Sequence, residues 1–584
     1  MNQFRVLRLI LMSSVLVCCV AVGGTGTGAG ARSVAEEAPR DGAALRLRQL
    51  KSVQDAGKTR YGTDGLAYGL GSHTAVSKGG TVYFNGRPVA SPDPPGAVPR
   101  GTDAAAKGAS TDWTPYGGPF TRDEAAHLLR RAVIGPRWEE IDDAVAAGLD
   151  AQVAELLLNR PPPAPPGLWA TQPVPDVQGW SQEMIDSLLA VYYDRAYLLQ
   201  LWWTEAMLHQ ETSLRETMTL FWHDHFATGI SKVIFPQSIF VQNRLFRNLA
   251  LQNFKVLARE AAYDPAMLLW LDGQYNYVNY INENFARELL ELFTMGVDEY
   301  TQDDVVAAAR AFTGYVTYDG VTSVFVPSLH DGGYKVFLGQ GGNWDGDDII
   351  DIIFEQDVTA RFICTKLYKY FIDEYPDEAL IEDLAQTMRD NDYEVLPVLE
   401  MMFKSEHFFD QEFRGSIIAD GVDKIAGLMR SLYIDPDLTS ADTPSATWVL
   451  FGMGVFDHVL FEPPNVAGWP GYRSWINSYT LLWRKTMDVG LVDGQVLGFN
   501  IQMQTDVMDL ANRFTNPNDA DALIDDLAFY LFGMPPTELV RQRMMDELLQ
   551  GAQPWEWNMG YPEAESRLQG LVKLALRLPD QQVK

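Results

Sequence analysis

Asn282-Glu283-Asn284-Phe285-Ala286-Arg287-Glu288-Leu289-Leu290-Glu291-Leu292 is the stretch on which the fold turns. At 3.6 residues per turn, Asn284, Arg287, Glu288 and Glu291 share one face, and Phe285, Leu289 and Leu292 the other. That is an amphipathic helix, carried here to Met295 and ended by Gly296. The same period continues outward and makes 181–313 almost wholly helical. Ser213-Leu214-Arg215-Glu216 and Thr301-Gln302-Asp303-Asp304 read as capping boxes, and Phe240–Ala262 as one long helix. Upstream, Thr121-Arg122-Asp123-Glu124 opens a helix that Gly135 ends, and a second runs from Trp138 to Leu158.

The helical period breaks once. Val316, Tyr318, Val324, Val326, Val336 and Leu338 alternate around Gly turns and predict two or three short antiparallel strands. Helices return at 347–355, 358–373, 378–390, 394–404 and 416–433. A Pro- and Trp-rich loop covers 461–477, and further helices cover 478–490, 520–532, 537–550 and 563–577. No strand–helix alternation supports a parallel sheet. The expected fold is mainly α: a large multi-helix body with a small antiparallel β insertion near 314–340.

The chain has 584 residues, 46 Lys plus Arg, 77 Asp plus Glu and a formal charge of −31. That balance argues against a protein built to hold nucleic acid. With 47% hydrophobic residues, most of the chain is expected to be globular. Residues 1–31 read as an export signal: Arg5 and Arg8, an apolar run from Leu9 to Val22, then Ala29-Gly30-Ala31 as cleavage site. Cleavage there leaves Cys364 as the single thiol and no transmembrane helix. Residues 32–112 are rich in Ala, Gly, Ser and Pro and read as a flexible arm, with one hairpin at Thr81–Phe84 turning on Asn85-Gly86. The helical domain is placed at 113–584, outside the cytoplasm.

Five stretches carry candidate chemistry. Phe221-Trp222-His223-Asp224-His225-Phe226 contains a His-x-His pair, a metal chelate on a strand or loop. On a helix the two imidazoles point apart; His225 then faces the core and His223 is exposed. Glu288 and Glu291, at i and i+3, suit a metal or an acid–base pair; the plainer alternative is a solvated face with Arg287 pairing to Glu283 and Glu291. His330-Asp331 sits on a Gly-rich turn, where loops carry function. Asn343–Phe354 fails the calcium-loop pattern, since its sixth residue is Asp348 and its twelfth Phe354. Finally Trp469, within Pro463-Pro464-Asn465-Val466-Ala467-Gly468-Trp469-Pro470-Gly471, either stacks on a ligand ring or packs its loop onto helices.

Together and in this order, these stretches resemble the bacterial domain-of-unknown-function-1800 family. His127-Leu128-Leu129-Arg130-Arg131-Ala132, Tyr300–Val305, Ala311–Gly314 and Leu338–Asp348 add to the match, which covers roughly 118–580. The resemblance implies an exported, mainly helical protein, often encoded beside a secreted protein of the alkaline phosphatase and sulfatase type, which is a candidate partner. It carries over a set of polar motif residues: His127, His223, His225, Glu288, Glu291 and His330.

Two functions of different kinds are compatible with these residues. One is a metal-dependent extracytoplasmic hydrolase, with His223 and His225 as ligands to a divalent metal and Glu288, Glu291 and His330 as catalytic groups; His127, Arg287, Asp331 and Trp469 complete the candidates. The other is a non-catalytic scaffold for a co-exported protein, its motif residues fixing the fold as a buried polar network.

Overall fold

The computed structural model describes residues 112–584 and three short strands, Ala75–Lys78, Thr81–Phe84 and Arg87–Pro88. The signal expected at 1–31 and most of the arm expected at 32–112 lie outside the described residues. Thr81–Phe84 pairs antiparallel with Ala75–Lys78 and with Arg87–Pro88, Phe84 opposite Arg87 and Tyr83 opposite Pro88; the expected Asn85-Gly86 turn lies outside the described residues.

Helices make up most of the body, and side chains start them where the sequence indicates. The Thr121 hydroxyl accepts from the Asp123 N–H, and the Glu124 carboxylate returns to the Thr121 N–H at 3.0 Å, opening Arg122–Ala132. Thr301 and Asp304 repeat the exchange ahead of Gln302–Ala311. Gly135, at φ +64°, lets its turn lie directly on the Gly427 backbone; a Cβ there would come within 2.0 Å of the Gly427 carbonyl oxygen.

The third expected capping box does not form. Ser213 accepts from the Arg215 N–H at 3.2 Å, but Glu216 turns inward. Its carboxylate takes two N–H groups of Arg247, at 2.8 and 2.9 Å, and the Trp203 indole N–H at 2.9 Å. The pair is almost fully buried, with side chains 3% and 1% exposed. It fastens Arg215–His225 to Pro236–Leu249 and to the 27-residue helix Gln182–Leu208.

Several long helices prove to be broken. Gly148 splits the second into Trp138–Ala147 and Leu149–Leu156. Asn253 accepts from the Val256 N–H at 3.1 Å and starts Phe254–Tyr263 afresh. Asn284–Glu288 widens into a π turn at Leu289–Thr294, and a second π turn occupies Asp423–Gly427. The wider turn displaces the buried face, so Leu290 and Phe293 are core and Leu292 is only partly buried. Pro444–Val455, which the periodicity misses, is mostly apolar because nine of its twelve residues are buried and none is fully exposed.

The β insertion is two antiparallel hairpins, Tyr315–Val316 with Val324–Phe325 and Lys335–Phe337 with Gln340–Gly342. One hydrophobic cluster runs from Trp113 to Leu578. Among the described residues, no helix is long and apolar enough to cross a membrane.

Replacing Arg247 with Met takes from the buried Glu216 carboxylate its contact ion pair and two of its three hydrogen bonds, leaving the Trp203 N–H and Arg215 at 3.6 Å. Urea unfolding is expected to show a loss of about 3–5 kcal/mol. Adding Glu216→Gln should recover part of it; strictly additive losses would mean that the two side chains do not act as a pair.

Candidate functional site

The motif helix Arg215–His225 points three consecutive side chains in three directions. His223 is not exposed, contrary to expectation: it is 1% accessible, because Trp203 and the 461–469 segment cover that face. Its Nε2 accepts from the Phe461 N–H at 3.2 Å, and burial, helped by His458, drives its pKa down to about 3. His225 is also buried. Its Nε2–H donates to the Phe293 carbonyl at 2.9 Å, and its Nδ1 accepts from the Lys366 ammonium at 3.1 Å. Burial and the Lys366 charge push its pKa well below 6.5. Both His225 nitrogens are engaged, so the two imidazoles as arranged do not chelate one ion. Among the described residues, no group of three or more His, Cys, Asp or Glu converges as metal ligands would.

The other expected residues lie elsewhere. His127 is a core imidazole hydrogen-bonded to the Phe408 carbonyl at 2.9 Å, held well below its usual pKa by burial and by Arg131. Arg287 bonds Glu283 at 3.0 Å and Gln302 at 2.9 Å. Glu291 accepts from the Tyr300 hydroxyl at 2.7 Å. Glu288 is raised by burial and by the Glu291 charge. His330 donates from Nδ1 to the Thr313 carbonyl at 3.0 Å, and Asp331 binds Arg310 at 2.7 Å, which holds its carboxyl below the usual range. This turn pins the two hairpins to the Gln302–Ala311 helix.

What the fold does assemble is a cavity of about 320 Å³ between the end of the motif helix and the Pro/Trp loop. His225 and Trp469 from the expected set line it; Asp224, Lys366, Tyr370, Asp420 and His458 join them. Asp224 accepts from the Trp469 N–H at 2.7 Å. Gly468, at φ +83°, permits this approach: a Cβ there would lie 2.3 Å from the Asp224 carboxylate. Burial raises Asp224 to about 6, against the pull of the Trp469 N–H and of Lys366.

On another wall, His458 is sandwiched by Trp469 and Trp475, with ring centroids 4.6 and 4.8 Å away. Its Nδ1 faces Asp420 at 3.5 Å. Burial works to raise Asp420, but His458, Lys584 and the Asp423 N–H outweigh it and leave this carboxyl well below the usual range. Burial pulls Lys366 down to about 8, with Asp224 opposing. Tyr370 is pushed well above 10 by burial and by Asp420, Asp423 and Asp224.

Sequence signals for the missed residues exist. Asp224 stands between the two quoted imidazoles, His458 is one of only eight His, and Lys366 interrupts the apolar pattern around Cys364. Only the fold shows that they meet.

A model of the family described as "Protein of unknown function (DUF1800)" matches residues 127–583. No curated protein and no solved structure matches the chain.

Imidazole ¹⁵N spectra between about pH 5 and 7.5 are expected to show His225 as the neutral Nε2–H form throughout, with Nδ1 unprotonated. A folded chain that protonates His225 by about pH 5 would contradict its assigned partners.

Proposed function

We propose, on the premise that the chain belongs to the DUF1800 family, that it is an exported acid–base enzyme, hydrolytic in kind, and that its site is the Asp224–Asp420–His458 cavity. One observation carries this reading. A single aromatic-walled cavity holds two carboxyls whose surroundings drive them apart, Asp224 upward to about 6 and Asp420 downward. Environments that separate two carboxyls in this way divide acid from base. Export rests on the leader-like pattern of residues 1–31.

In this reading Asp224, protonated on the acid side of neutrality, gives its proton to the leaving group. His458, oriented by ionised Asp420 and clamped between two indoles, takes a proton from the attacking water. The Trp469 N–H keeps Asp224 aimed, and Trp469, Trp475 and Tyr472 exclude bulk water. Glu288, Glu291 and His330 have no part in the step, since they do not line the cavity.

The test is turnover of a panel of glycoside, ester and amide substrates by the purified chain. The rate should fall as pH rises through about 6, the pH at which Asp224 loses its proton. Asp224→Asn and His458→Ala should each lower kcat/KM by about 10²–10⁴, while Glu288→Gln leaves it unchanged. Full activity in Asp224→Asn, or a rate flat across this range, would overturn the assignment.

A further inference from the structure

Lysine is scarce in this chain, at 14 of 584 residues. Yet Lys366, Lys369 and Lys584 all line the same cavity. Two of them are neutralised by carboxylates, Lys369 by Glu374 at 3.0 Å and Lys584 by Asp423 at 2.7 Å. Lys366 is different. Its ammonium donates to the His225 Nδ1 at 3.1 Å and to the Leu292 carbonyl at 3.2 Å, and the Phe362 ring centre lies 4.9 Å away. All three partners are uncharged. Among the described residues no carboxylate forms an ion pair with it, and Asp224 acts on it only across space. A sunken ammonium held by dipoles alone gains strongly when an anion replaces the water beside it.

We propose that Lys366 anchors an oxyanion group, a carboxylate, sulfate or phosphate, on the ligand of this cavity. The proposal deepens the acid–base reading and rests on it for the identity of the reacting site. The anchor also acts on its neighbour. Negative charge seated on Lys366 favours the protonated form of Asp224, which is the form a general acid needs. Asp420 stays ionised through His458, and Glu374 stays paired with Lys369, so Asp224 is the carboxyl free to respond. Tyr370 is pushed well above neutrality and remains protonated. Anion binding therefore draws a proton onto Asp224, most strongly just above pH 6, where the free protein has lost it and the complex regains it.

Calorimetric titration of the full chain with acetate, sulfate and inorganic phosphate, at about pH 6.5 in two buffers of different ionisation enthalpy, tests this. One saturable site with proton uptake is expected. Lys366→Met should weaken it by about tenfold or more. Lys369→Met should retain it, and Asp224→Asn should bind without taking up a proton. Preference for acetate marks a carboxylate ligand, and preference for sulfate or phosphate marks the other oxyanions. If Lys366→Met does not fold, the unaltered chain still decides. Affinity for sulfate should fall tenfold per pH unit above about 8, as the ammonium is lost.

Undiminished affinity in Lys366→Met, affinity flat to about pH 10, or absence of a saturable site would each overturn the anchor. Anion binding without turnover of any substrate would remove the catalytic reading and leave the anchor standing. Turnover without anion binding would do the reverse.

Discussion

The Lys366 ammonium, held between the His225 imidazole and the Leu292 carbonyl, is the contact on which the site's geometry depends. It fixes which His225 nitrogen carries the proton, because Nδ1 must accept. The opposite nitrogen is then committed to the Phe293 carbonyl. Leu292 and Phe293 are carbonyls at the end of the π turn, which that turn leaves without backbone donors. One cation and one imidazole thus close a helix end, orient the motif helix and form part of the cavity wall. The residues on either side of the wall inherit their directions from this arrangement. Asp224 meets the Trp469 backbone, and His223 meets the Phe461 backbone.

The chain is strongly acidic, and its interior still distributes charge with care. Glu216 with Arg247 and Lys424 with Asp488 are buried as pairs. Such pairs contribute modest net stability but are costly to break, so they specify which helices meet. The cavity obeys a different rule. Two of its charged groups are incompletely compensated, with Asp224 facing no counter-ion at contact distance and Lys366 served by neutral partners. Incomplete compensation is expensive in a purely structural core, and it is common where chemistry takes place.

Local rules were legible in the sequence and tertiary ones were not. Thr121 and Thr301 cap as their spacing indicates, and two hairpins, four strands where two or three are expected, form at the predicted β segment and end two residues beyond it. Ser213 fails as a box because Glu216 has a better partner in Arg247, 31 residues away and invisible to a local pattern. Pro444–Val455 escapes periodicity because even its outer face, at Pro444, Thr447 and Phe451, is only partly exposed. At the site, Trp469 and His225 were picked out by residue type and motif, but the fold separates them from Glu288, Glu291 and His330. It joins them instead to Lys366, Asp420 and His458, whose sequence neighbourhoods are mostly apolar. No single-chain pattern encodes that convergence.

The π turn at Leu289–Thr294 makes the site depend on a count of residues as much as on their identity. A π turn holds one residue more than the α turn it interrupts. Losing one residue there would restore the α ladder, which offers each carbonyl to the N–H four residues on. The Leu292 and Phe293 carbonyls would then no longer be placed for Lys366 and His225. Chain length across these six residues is thus inherited information about the site, and a comparison of related sequences that scores only matching letters would overlook it.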